Sequence, residues 1–168
     1  AAEKYGLVFG IEKTNWFQRE GKIRVIGISV RSPDDGLVAI GEFGFQCVQV
    51  NFNMLDQRPL ENGLSQLCGE KGIGFIARTP LCFGFLTGIH SSESEFSSTD
   101  HRSTWARAQI STWANAHRLF ADTMGQNEEQ TQAQFSLRYC LSCPDVSTVI
   151  PGMLNETEVE ENVSASDL

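Results

Sequence analysis

Four short apolar runs limit what this chain can become: "IRVIGIS" at 23–29, "FQCVQVNF" at 45–52, "IGFIA" at 73–77 and "STVI" at 147–150. In the first, Ile23, Val25, Ile26 and Ile28 are apolar on both faces, which suits a strand inside a parallel sheet covered on both sides. Only 22 residues precede it, among them the polar "FQREGK". That leaves open what covers this strand and where the strands that should precede it lie.

Helical patterns alternate with these strands. "SPDDGLVAIGEF" opens with Ser32 as N-cap and Pro33 at the first helical position, with two acids that suit the helix dipole. "ENGLSQLCGEKG" places Leu64, Leu67 and Cys68 on one face and stops at Gly72. "NEEQTQAQFSLRYCLSC" carries an Asn127-to-Gln130 capping pattern and turns Ala133, Leu137, Cys140 and Leu141 inward. A last helix begins at Asn155 and is expected to bury Val159 and Val163. "TWARAQISTWANAHRLFADTMG" sets Ile110, Trp113, His117 and Phe120 at helical spacing, with His117 read as a packed core residue. Strand then helix, four times over, predicts either half of an eight-unit α/β barrel or a doubly wound open sheet.

The chain, 168 residues long and of net charge -8, reads as a single domain spanning 1–168. Such an acidic balance argues against a nucleic-acid or anionic-membrane surface, because counterion release needs clustered Lys and Arg. No apolar stretch is long enough to span a bilayer, and "YGLVFGI" is too short for a signal peptide. Cys47, Cys68, Cys82, Cys140 and Cys143 are expected to be reduced packing residues of a cytoplasmic protein, since one C-x-x-C without a second pair or a nearby His is a weak metal or redox signal. Residues 87–103, "TGIHSSESEFSSTDHRS", form a polar surface segment too long for a mere connection.

Taken together, "GKIRVIGIS", "VQVNFNMLDQRP", "KGIGFIARTPLCFGFLTG", "DHRS" and "VSTVIPGMLNETEVEEN" resemble the aldo/keto reductase family over about residues 19–168. The resemblance implies the C-terminal half, about four β/α units, of a (β/α)8 TIM barrel that binds NADPH or NADH across the C-terminal ends of its strands. It also implies that the family's catalytic Asp, Tyr, Lys and His belong to units this chain does not match.

Carried over residue by residue, the resemblance assigns Ser29 and Gln49 to the nicotinamide carboxamide; Val30 stands where the family has an Asn. Arg78 takes the place of the aromatic that stacks on the nicotinamide ring, and a guanidinium plane can also stack or pair with pyrophosphate. Thr79, Leu81 and Phe83 follow along the pyrophosphate loop. Gly152 and Met153 stand on the loop leading to the last helix, whose N-terminus attracts phosphate. Glu161 and Asn162 match the acid and amide that read adenine. Glu158 stands where many members carry a base for the 2′-phosphate, so its charge works against NADPH preference. His101 and Arg102, in "DHRS", border the mouth without a catalytic role.

The expected function is NAD(P)H-dependent reduction of a small-molecule carbonyl, with this chain supplying cofactor-binding residues and inactive alone. The rival expectation is a half-barrel that binds nucleotide or assembles without catalysis. Four parallel strands cannot close a barrel, so a homo-oligomer, or a partner supplying the N-terminal half, is expected to cover the open edges.

Overall fold

The structure, a computed structural model, describes residues 7–120, Thr123 and residues 130–167. In chain order it contains α1 (Leu7–Arg19), β1 (Gly27–Ser29), α2 (Pro33–Phe43), β2 (Cys47–Asn51), α3 (Arg58–Glu61), α4 (Leu64–Lys71), β3 (Gly74–Arg78), α5 (Arg107–Ala114), α6 (Gln132–Ser142), β4 (Thr148–Ile150) and α7 (Glu156–Ser164). Short 3₁₀ segments occupy Cys82–Thr87, His101–Thr104 and Ala116–Phe120. The four strands form one parallel sheet in the order β1-β2-β3-β4. Strand order thus follows chain order, as in a barrel, with no reversal of the kind that marks a doubly wound sheet.

Strand alternation separates two unlike faces. Val48 and Val50 of β2 and Phe75 and Ala77 of β3 are fully buried. They pack with Ile40 of α2, Leu64 and Cys68 of α4, and Cys140 of α6. Burying an aromatic or aliphatic side chain of this size contributes about 1.5–3 kcal/mol, so this helix-covered face is the main core. Gly36 lets α2 approach closely, since a Cβ there would sit 2.8 Å from Leu64 Cδ2. The other face carries Cys47, Gln49 and Asn51 beside Gly74, Ile76 and Arg78, all only half-buried.

The first strand is shorter than expected. Pairing covers only Gly27–Ser29, and the expected residues 23–26 instead anchor the preceding helix. Gln18 Nε2 donates to the Arg24 carbonyl (2.9 Å) and to Gln46 Oε1 (2.7 Å), which also accepts from Ile26 N (3.3 Å). Among the described residues β1 has a partner on one side only and so no second ladder to extend it, and Val25 is exposed. The second run shrinks to Cys47–Asn51 because Phe45 is taken by the end of α2, its N–H donating to the Ala39 carbonyl (3.2 Å) behind left-handed Gly44.

Helix ends follow local chemistry, with one shift. Ser32 caps α2 and Asn155 caps α7 as expected. The cap of α6 is Thr131, paired reciprocally with Gln134 in a capping box, whereas the expected Asn127 lies outside the described residues. Ser136 is buried in α6, and Leu141 is only half-buried. The expectation for the last helix fails: Val159 and Val163 are 43% and 60% exposed. The side of α7 that meets α6 is polar, through Gln134 Nε2 to Ser164 Oγ (2.7 Å) and Arg138 Nε to the Ala165 carbonyl (3.2 Å). That contact turns the two valines outward.

Candidate functional site

Register brings the residues of this less buried face into layers, in which Ser29, Thr148 and Ile150 on the outer strands are exposed. Ser29, Gln49, Ile76 and Thr148 form one layer; Asn51, Arg78 and Ile150 form the next, at the C-terminal ends of the strands. Ser29 and Gln49, expected to share one ligand group, are neighbours, with Gln49 Nε2 3.2 Å from Ser29 Oγ. An amide and a hydroxyl side by side offer both donors and acceptors. Arg78 reaches across the sheet, Nη2 donating to the Val30 carbonyl at 3.1 Å. Its Nε is buried without a protein partner. A buried N–H of this kind is costly unless a further acceptor arrives, and a phosphate or carbonyl oxygen would satisfy it.

Beyond β3 the backbone is strained. Thr79, Cys82 and Phe83 all have positive φ, at 54°, 47° and 56°, a conformation that costs about 1–3 kcal/mol at a non-glycine residue. Asn53, 3% exposed, holds the turn: Nδ2 donates to the Thr79 carbonyl (2.9 Å) while Oδ1 accepts from the N–H groups of Leu55 and Asp56 (2.9 Å each). Thr79 Oγ1 lies 3.0 Å from Asn51 Oδ1. Leu81 is half-buried and its carbonyl accepts from Gly84 N (3.0 Å) and Leu86 N (3.1 Å). The N–H groups of Cys82, Gly84 and Leu86 are therefore engaged within the turn. Phe83 packs against the rings of Trp105, Trp113 and His101.

After β4, Gly152 and Met153 are exposed. The Glu158 carboxylate folds back on this loop, accepting from Leu154 N (2.7 Å) and Asn155 Nδ2 (3.0 Å). Asn162 Nδ2 donates to the Gly152 carbonyl (3.4 Å). Glu161 is half-buried on the same helix, its carbonyl accepting from Ser164 Oγ (2.9 Å). The candidate residues thus fall into three groups across neighbouring strand ends. Ser29 and Gln49 stand on β1 and β2, Arg78 through Phe83 after β3, and Gly152 through Asn162 after β4.

Two features escaped the sequence. Asn53 gave no periodic signal, only a polar residue next to a strand end. The second is an aromatic and charged cluster built by the 87–103 segment. Arg102 is held by Asp100 (Nη2 to Oδ2, 2.6 Å), contacts His90 Nε2 (3.0 Å) and lies over the Phe96 ring (4.2 Å). Hydrogen bonds from Arg102 lower the Asp100 carboxyl to about 2. Burial first, then the adjacent Arg102 charge, lowers the His90 imidazole. The segment and α5 also line an open cleft of about 320 Å3 among Ser94, Phe96, Trp105, Arg107 and Ile110. None of the predicted ligand-binding residues lines it.

The five cysteines are free thiols. Burial pushes Cys68 up to about 11 and Cys82 and Cys140 up to about 12. They stay protonated at neutral pH and act as packing groups.

Comparison with known proteins gives a consistent relationship. The chain is 31% identical over 150 residues to the NADP(+) aldo-keto reductase yakc of Schizosaccharomyces pombe, covering 86% of this chain and 44% of that protein. It is 29% identical to L-glyceraldehyde 3-phosphate reductase of Escherichia coli, covering 88% of the chain and 45% of that protein. Its fold superimposes on the holo form of an aldo-keto reductase from Bacillus halodurans with a TM-score of 0.66 at 22% identity, over 94% of this chain and 49% of that one. The chain therefore spans about half the length of the relatives it matches, and its sheet corresponds to about half of their (β/α)8 barrel. The model of the Aldo/keto reductase family matches residues 11–168, and the chain belongs to that family.

Proposed function

We propose that this chain supplies the dinucleotide-binding half of an NAD(P)H-dependent carbonyl oxidoreductase. The carrying observation is the buried, unpartnered Nε of Arg78 beside the Ser29–Gln49 pair, at the C-terminal ends of adjacent strands. Those groups fit a nicotinamide dinucleotide. Ser29 and Gln49 hold the carboxamide, Arg78 stacks on the ring or meets an anionic oxygen, and Thr79, Leu81 and Phe83 shape the wall of the pyrophosphate turn. Gly152, Met153, Glu161 and Asn162 receive the adenosine end.

When bound, the dinucleotide supplies the hydride; the protein orients it and supplies a proton donor. The residues described here orient. In this reading the family's catalytic Asp, Tyr, Lys and His belong to barrel units that this sequence does not match, so the carbonyl substrate and complete turnover belong to the whole assembly. A purified sample of the chain should bind nucleotide and show no aldehyde-dependent oxidation of NADH or NADPH. Glu158 adds a negative charge beside the adenosine loop, so NADH should bind no worse than NADPH. Fluorescence titration with both nucleotides and an absorbance assay at the nicotinamide band test these statements. Steady turnover in contaminant-free protein, or no binding of either nucleotide, contradicts the reading.

A further inference from the structure

Among the described residues, Arg102 lies far along the sequence from the strand ends, yet it touches the left-handed part of the β3 turn. Its Nη1 donates to the Phe83 carbonyl at 2.7 Å. That carbonyl lies between two residues of positive φ, Phe83 (56°) and Gly84 (88°). The guanidinium itself has little freedom. Asp100 grips it through Nε (3.0 and 3.2 Å) and Nη2 (2.6 Å), the Phe96 ring covers one face at 4.2 Å, and His90 Nε2 stands 3.0 Å from Nη1. Since arginine has no acceptor, His90 Nε2 must be the accepting nitrogen here. Gly84 makes the approach possible: a Cβ there would lie 3.1 Å from His90 Nε2 and 3.5 Å from Arg102 Nη1.

We propose that Arg102 is a positioning residue for dinucleotide binding, fixing the left-handed Phe83–Gly84 turn from the far end of the 87–103 segment. The inference rests on the dinucleotide reading above. A planar fork held at one end by a carboxylate fixes a carbonyl in both direction and distance, which a lysine ammonium, a rotatable point charge, does not. The polar 87–103 segment thereby acts as a strut from Asp100 to the pyrophosphate turn. Phe83 thereby keeps a positive φ that a non-glycine residue does not favour, beside Gly84, which adopts one freely.

The test uses the full chain and its R102M and R102K variants, with NADH as probe. Hydrogen exchange without nucleotide should quicken in residues 79–86 of R102M while β2 and β3 stay as protected as in the parent. NADH affinity should fall about tenfold or more, the loss expected for one charge-assisted hydrogen bond, with R102K intermediate in both readouts. If R102M unfolds as a whole, R102K carries the same two measurements. A parent that binds NADH, with variants binding within twofold of it or exchanging as it does, overturns the inference alone. A parent that binds no NADH overturns the dinucleotide reading and this inference with it.

Discussion

Single residues carry the chemistry of the strand ends, and each has a measurable share. Gln49 and Asn162 are expected to contribute about 1–2 kcal/mol each as hydrogen-bond partners of largely neutral ligand groups. Gln49→Leu and Asn162→Leu should each weaken NADH binding by about 5- to 30-fold in a calorimetric titration, with little change in melting temperature. An unaltered affinity in Gln49→Leu would remove the carboxamide assignment. His90 gives a pH dependence with a definite sign. It sits against the Phe85 and Phe96 rings, with Arg102 facing it and Asp100 beyond. Burial, then the Arg102 charge, depresses its folded pKa below the ordinary value. The unfolded chain therefore binds the proton more readily. The stability His90 contributes is complete above about pH 6.5, the usual histidine value, and is lost as pH falls through the lower folded value. Melting curves from pH 8 to pH 5 should show a steeper loss for the parent than for His90→Gln.

At the scale of elements, caps and turns decide where each pattern stops. Thr131 and Gln134 each satisfy an N–H at the start of α6. Thr131→Ala should cost about 1 kcal/mol, read as a lower urea midpoint at unchanged slope; no shift would show that α6 is held by packing alone. α7 shows the opposite balance. Its two valines have helical spacing for a buried stripe, but the contact with α6 runs through Gln134, Arg138 and Ser164. Hydrogen-bonding partners took the inner side of this helix, and periodicity does not register such a preference. The β3 turn is a third case. Thr79 and Phe83 hold positive φ because Asn53 and Arg102 grip their carbonyls, and neither partner is near them in sequence.

For the whole molecule, the decisive feature is a sheet with two edges and one fully covered face. Among the described residues, β1 pairs only with β2, and β4 only with β3. Near the β4 edge, Ile150, Met153, Leu154, Val159 and Val163 are exposed, Leu154 at 93%. Exposed apolar groups beside an open edge favour association. Two copies related by a two-fold axis can join the edges of their sheets around one interior. Light scattering at micromolar concentration should therefore give a mass of at least twice 18.6 kDa. A monomer with a cooperative melt would show that the edges are protected in another way. If the N-terminal units of the barrel are supplied as a separate chain, they should compete with this self-association.

Sequence alone determined the four parallel strands, most of the helices between them and the placement of Ser29, Gln49, Arg78 and the Gly152–Met153 loop along strand ends. Apolar runs, capping residues and family motifs are local or fixed in order, and a parallel sheet read in order turns them into neighbours. The β1 boundary, the orientation of α7 and the Asn53 and Arg102 contacts were decided only by the tertiary structure. A strand extends only as far as its partner offers a ladder, as the short β1 beside β2 shows. Asn53 and Arg102 act on carbonyls 26 and 19 residues away, and the energy of such a contact exists only after the chain has folded both groups into reach.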